Sequence, residues 1–464
     1  MADDGQGITR RTPLPWSQLL IVLAIQLSEP ISATVIYPFL PDFVRLTGVT
    51  GGDETRTGYY SGIIGSVFFA AECVSVVYWA RASDKHGRRV VLLLGPFGLG
   101  IALVFFGLAK HFWMLVVLRA LQGVFNGNIG VSKTVMAELT DATNIGDAFA
   151  LGPMMWGIGI TIGPIIGGLL ASPAQTWPRV FGKITFLHEY PYFLPCAAAA
   201  LCSFCIFTWA TLFLKETHPY KKEATQLDRE RAPLIHPSPS EAASRGLVAP
   251  PLRDILNRDV VVSIANYCAV SFISMVYTVL MPLMWSTSIS AGGLGFSPSE
   301  IGTILAAWGF INASLQVLFL GRALRNFGGR TVYLYTTIAV LVGSVSFMLQ
   351  STFARRAGRV DATVWLFVCL HLVTNFSISA QFGASQVILV QSVTHPFGLS
   401  VANGLAQMVA TAVRGLCPFL ISSLFSITLQ YNIAGGFFIY IFISVIALFA
   451  VGLSLLLPRR VTKN

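Results

Sequence analysis

Arg81-Ala82-Ser83-Asp84-Lys85-His86-Gly87-Arg88-Arg89 is a short, heavily charged stretch set between two long apolar runs, roughly 58–80 and 90–109. Each run is long enough to cross a hydrocarbon core of about 30 Å at about 1.5 Å per helical residue. An elbow this tight makes its two helices neighbours, and its basic excess places it on the cytoplasmic face of a membrane. A related stretch, Gly321-Arg322-Ala323-Leu324-Arg325-Asn326-Phe327-Gly328-Gly329-Arg330, aligns with Ala80–Arg89. Gly321 lies opposite Ala80 there, and Arg325 opposite Asp84.

Composition agrees with a membrane protein. The chain has 464 residues, 54% hydrophobic and 11% charged, with mean hydropathy +0.68; soluble domains carry about 25% charged residues. About twelve apolar runs centre near 28, 69, 99, 125, 160, 202, 273, 311, 340, 377, 413 and 446. Only helices or closed barrels satisfy their backbone in lipid, and continuous runs of this length mean helices. The fold expected is therefore an all-α membrane protein with twelve transmembrane helices. The first run is too long for a removable signal peptide and lacks a small-residue cleavage site, so it reads as the first span.

With the N-terminus inside, about 20 of the 31 Lys and Arg fall on cytoplasmic segments and about 8 outside. The net charge of +10 then reflects membrane orientation, not nucleic-acid binding. Arg355, Arg356 and Arg359 are the exception, since they fall outside. The seven cysteines all lie in apolar runs and read as free packing residues. Cys202 and Cys205 lack a second pair, so no metal site is expected. Nor is an enzyme: the chain has no phosphate-cradling loop, no metal cluster in a polar segment and no convincing nucleophile–base pair. ATP-driven export is disfavoured too, since no nucleotide-binding domain is evident.

From Lys215 to Arg258 charges of both signs are followed by prolines and serines, a composition that cannot bury a core. The organisation expected is a tail (1–15), a six-helix bundle (16–214), a cytoplasmic linker (215–258), a second six-helix bundle (259–457) and a tail (458–464). Both termini are then cytoplasmic. Repeated halves around a central site are a common plan among secondary transporters.

Three strings carry a family resemblance. The first elbow, with Asp84, Lys85, Gly87, Arg88 and Arg89, resembles the signature of the major facilitator superfamily between its second and third helices, except that Ala80 replaces the opening glycine. Gly159-Ile160-Thr161-Ile162-Gly163-Pro164-Ile165-Ile166-Gly167-Gly168 matches the fifth-helix signature of that family's drug:proton antiporter branch. Gly159, Gly163 and Gly167 step by four, lining one helix face for close packing, and Pro164 should kink the helix. Arg119-Ala120-Leu121-Gln122-Gly123-Val124-Phe125-Asn126-Gly127-Asn128-Ile129-Gly130 is similar to the fourth-helix signature, whose arginine the family implicates in proton coupling. Nearly all membrane-embedded sequence looks like that of fungal multidrug exporters and plant zinc-induced facilitator-like proteins. The resemblance implies two pseudo-symmetric bundles and efflux.

Arg119, Asn126 and Lys133 are seven residues apart and share one face, which must meet a partner or a water-filled cavity. Glu29, beside Pro30 in the first span, is the first candidate for proton carrier; the alternative is a static partner for Arg119 or Lys133. Low dielectric favours a neutral carboxyl and a nearby cation the ionised one, so such a group can load and release a proton. Glu72 reads as a second protonation site or as the partner of a cation near the cytoplasmic face. Asp84, Arg88, Arg89 and Glu138, with Asp141 close by, form a candidate clamp over the inner gate. In the second half, Asn266, Tyr267, Tyr277, His371, Asn375, Gln381, Gln386, Gln407 and Arg414 are candidates for lining a substrate cavity, and their chemistry suits polar-aromatic compounds.

The function expected is a secondary transporter, exporting a small organic compound against protons by alternating access. It needs no cofactor beyond a proton gradient, and its partners are substrate, protons and the lipid bilayer. The plasma membrane is favoured over the vacuolar membrane. The alternatives are an uptake facilitator or symporter for a nutrient or metal chelate, and a membrane sensor that transports nothing.

Overall fold

The structure, a computed structural model, describes residues 12–140, 144–217, 256–393 and 398–458. Asp141, most of the linker and most of both tails lie outside the described residues. What is described contains helices and turns without a strand. Among the described residues ten helices are long and apolar enough to cross a membrane, and Met154–Leu169 is a shorter apolar helix.

The first half begins with α1 (Trp16–Thr34), a turn, and α2 (Leu40–Leu46). Then come α3 (Thr57–His86), α4 (Arg88–Gly107), α5 (Phe112–Asn126), α6 (Ile129–Leu139), α7 (Ile145–Leu169) and α8 (Phe193–Phe213). Helix α7 runs unbroken through Pro164. The second half comprises α9 (Arg258–Ser286), α10 (Pro298–Leu315), α11 (Gly321–Phe327), α12 (Gly329–Ala357), α13 (Ala362–Ser392), α14 (Gly398–Gln430) and α15 (Phe438–Leu455). Helix starts follow their caps: the side chains of Asn257 and Asp361 accept from the N–H of Val260 and Val364, and Ser297 with Glu300 closes a capping box.

Both elbows turn on a glycine. Gly87 has φ 98°, ψ 158°, and Gly328 has φ 77°, ψ 154°, a region open essentially to glycine alone. The following arginines repeat a second device. Arg89 Nη2 donates to Thr211 O at 2.6 Å, near the end of α8, and Arg330 Nη2 to Leu455 O at 3.2 Å, at the end of α15. Each elbow thereby holds the last helix of its own half.

Arg355, the exception to the charge pattern, is explained by its neighbours. Its guanidinium donates to Gly435 O (3.1 Å) and Ala291 O (3.3 Å) and lies over Phe437. It clips together two loops at the face opposite the elbows, called here the far face. Also at that face, Glu189 and Tyr190 hydrogen-bond Lys110 and hold its ammonium above the usual lysine range.

The halves meet towards the far face. Gly58, Gly62 and Gly65 of α3 press on Ser422 and Pro418 of α14, and Phe419 N–H donates to Ser66 Oγ at 2.8 Å. Gly168 of α7 touches Gly302 of α10 backbone to backbone. Arg45 of α2 donates to Ser286 O of α9 at 3.0 Å. Past Gly415, which lies against Phe69 and Ala70, the helices diverge towards the elbow face. Gly404 has nothing near it, and Met408 is exposed. The seam is closed at the far face and open at the elbow face.

Candidate functional site

The apex of that cleft holds the charges. The glycine stripe of α7 sets their position: Gly159 packs on Pro30, Gly163 on Thr34 and Gly167 on the Val35 carbonyl, leaving no room for a Cβ. Helix α1 is thereby drawn against α7, and Glu29 is buried at the first turn before that contact. Glu72 of α3 is buried nearby, at 3% exposure. The two carboxyls face each other electrostatically, and both face Lys133 of α6, Arg414 of α14 and the Asn126 amide. None of the four charged groups forms a direct ion pair among the described residues.

Two polar atoms here lack a close partner. Glu72 Oε2 and Asn126 Nδ2 are buried without a hydrogen bond within 3.5 Å among the described residues. Buried polar groups are normally paired, so such a cluster marks a place for water, a proton or a polar ligand. Two carboxyls, two cations and the Asn126 amide can exchange protons or hold a polar organic molecule.

Arg119 is fully buried but does not join this cluster. The turn after α1 explains its place: Tyr37 N–H donates to Thr34 O in place of Ala33 O, and Ile36 N–H makes no bond to Ser32 O, so the Ser32 and Ala33 carbonyls lack their helical donors. Arg119 replaces them, Nη1 donating to Ser32 O at 3.0 Å and Nη2 to Ala33 O at 2.7 Å. It also donates to Gln122 Oε1 at 2.6 Å and lies over the Phe68 ring. Asn126 and Lys133 reach the acids from the same span; Arg119 braces the break in α1.

The charges of the first elbow do come together. Arg88 Nη1 meets Asp84 Oδ1 at 2.5 Å and Ser83 Oγ at 2.6 Å, while its Nε meets Glu138 Oε1 at 3.1 Å. Two residues not singled out in the sequence complete the knot. Glu216 accepts from the backbone N–H of Arg88 (2.8 Å) and Arg89 (3.3 Å), and Thr217 Oγ1 donates to Glu138 Oε2 at 2.6 Å. All of these residues belong to the first half, so in this arrangement the knot fastens α3, α4, α6 and the end of α8 to one another. Lys85 is exposed.

Among the second-half candidates, Tyr267 and Arg414 lie at the cleft apex, with Gln407 Nε2 donating to Tyr267 Oη at 2.7 Å. Others serve packing within their own half. Tyr277 donates to Val340 O at 3.0 Å and stacks on His371; Asn266 donates to Leu453 O at 3.3 Å; Gln381 donates to Thr337 Oγ1 at 2.7 Å. Asn375 is half-buried. Amides and aromatics look alike in a sequence whether they face a cleft or a neighbouring helix. The contact of Arg414 with Trp156 of α7, across the seam, had no sequence signal.

A multi-span helical protein with buried charges at the apex of a one-sided cleft is a membrane transporter in architecture. The family model for the Major Facilitator Superfamily matches residues 22–290, and the chain belongs to that family. It is 31% identical to the major facilitator-type transporter psiT2 of Psilocybe cyanescens, over 100% of this chain and 94% of that protein. It is 28% identical to ZINC INDUCED FACILITATOR 1 of Arabidopsis thaliana (90% and 85% covered) and 26% identical to the efflux pump azaK of Aspergillus niger (96% and 89%). Among solved structures, a D-xylose–proton symporter superposes with TM-score 0.69 at 14% identity, covering 95% of this chain and 97% of that one, a likeness of fold.

Proposed function

We propose that the protein is a twelve-span, proton-coupled exporter of a small organic compound, working by alternating access with the elbows and both termini on the cytoplasmic side of the plasma membrane. One observation carries this reading: Glu29 and Glu72 lie buried together, faced by Lys133 and Arg414, at the apex of a cleft open to one side. Two carboxyls in such a setting exchange protons with whichever side the cleft opens to, and the bound substrate competes with the proton. The basic elbow face is the mouth of the cleft, so the present arrangement is inward-open. Export is supported by the α7 glycine stripe and by a relative named as an efflux pump.

The test is retention of a chemically diverse toxin panel in pump-deficient yeast expressing the wild type, Glu29→Gln or Glu72→Gln at matched surface levels. Reduced retention of some compound is expected with the wild type, lost in either variant and on collapse of the proton gradient. Increased retention with the wild type would establish uptake and overturn the direction proposed.

A further inference from the structure

Arg414 belongs to the second half, yet its guanidinium lies over the indole of Trp156 in the first, 4.4 Å from the ring centroid. It also faces both Glu29 and Glu72. Its neighbour Gly415 marks the level at which the packed seam ends and the cleft begins. The groups converging here are Glu29 from α1, Glu72 from α3, Lys133 from α6, Arg414 from α14 and Tyr267 from α9; α7 supplies the uncharged Trp156. Lys133 travels with the acids, because all three belong to the first half. Arg414 is the cation whose distance from them changes when the halves rock.

We propose that Arg414 is the proton-displacing group: seated on Trp156 it favours ionised Glu29 and Glu72, and its withdrawal lets them take up protons. This rests on the proton-coupled reading above. A cation opposite a carboxylate favours the charged form, and removing the cation favours the neutral one. The arrangement that binds protons more tightly gains population as pH falls. With Arg414 engaged the acids bind protons less tightly, so acidification depopulates the arrangement open at the elbow face. Protons load while the far face is open and leave through the elbow-face cleft when Arg414 returns. Arg414 thus acts through the acids, as a positioning residue.

The test uses the full chain in lipid nanodiscs, its native cysteines replaced, with spin labels at Met408→Cys and at Ala80→Cys, which continues the Gly58–Gly62–Gly65 face of α3 to the elbow end and is exposed. The wide-mouth population is followed from mildly alkaline to mildly acidic pH. The wild type should lose most of that population on acidification, Glu29→Gln and Arg414→Gln should flatten the response, and Arg414→Lys should retain it. Should Arg414→Gln fail to fold, Trp156→Ala, which keeps the charge but removes its seat, is expected to weaken the response. An Arg414→Gln curve that follows the wild type, with Glu29→Gln flat, would overturn the role of Arg414 alone. Equal flattening in Arg414→Lys, or a wild-type response in Trp156→Ala, would also overturn it. A flat wild-type curve would overturn the proton-coupled reading as well.

Discussion

Arg119 shows how one buried charge is held by backbone carbonyls without a counter-charge. Its two terminal nitrogens replace the helical donors that the Ser32 and Ala33 carbonyls lose where α1 breaks. Lysine cannot span both acceptors in that fork geometry. Arg119→Lys is therefore expected to leave a buried carbonyl unpaired, at a cost of about 1–3 kcal/mol. A melting temperature in detergent equal to that of the wild type would refute the brace. Gly87→Ala and Gly328→Ala should each cost about 1–3 kcal/mol, because both positions require a backbone region that side chains avoid; thermal unfolding of each variant checks this. The sequence marked Arg119 as buried and unusual but not its partners, because backbone carbonyls freed by a break in another helix leave no trace in local pattern.

The stripe on α7 was legible as a packing face from its spacing of four, and α1 is what it packs against. Gly163→Val would drive a side chain into Thr34 and the Ile31 carbonyl, an overpacking expected to cost about 1–3 kcal/mol and to displace Glu29 with its helix. The melting temperature and the export assay should fall together; export unaffected by the substitution would separate the stripe from the site. At the first elbow, Asp84 is two-thirds exposed whereas Arg88 and Glu138 are mostly covered. Asp84→Asn is expected to cost no more than about 1 kcal/mol. Glu138→Gln should unfold the protein at a distinctly lower temperature, because Glu138 joins α6 both to α4 and to the chain after α8. Equal melting of the two variants would count against this ranking.

Across the whole molecule, the far face is closed by backbones that touch. Gly168 and Gly302 meet without room for a side chain, and Gly58, Gly62 and Gly65 seat α3 on α14. Gly302→Val should keep that seam from closing and shift the population away from the elbow-open arrangement. The same spin-label pair at the cleft mouth would report a shorter distance, and an unchanged distance would mean that the contact is incidental. Apolar runs, basic elbows and the internal repeat determined the all-helical membrane fold by themselves, because lipid leaves the backbone few options and each signal is local. The same local logic picked out Glu29, Lys133 and Arg414 as polar groups too costly to face lipid. Only the tertiary structure decided which of them meet. Arg119 turned to a broken helix, Tyr277 and Asn266 to their own bundle, and Arg414 across the seam to Trp156 and the acids, because each partner lies on a helix distant in the chain.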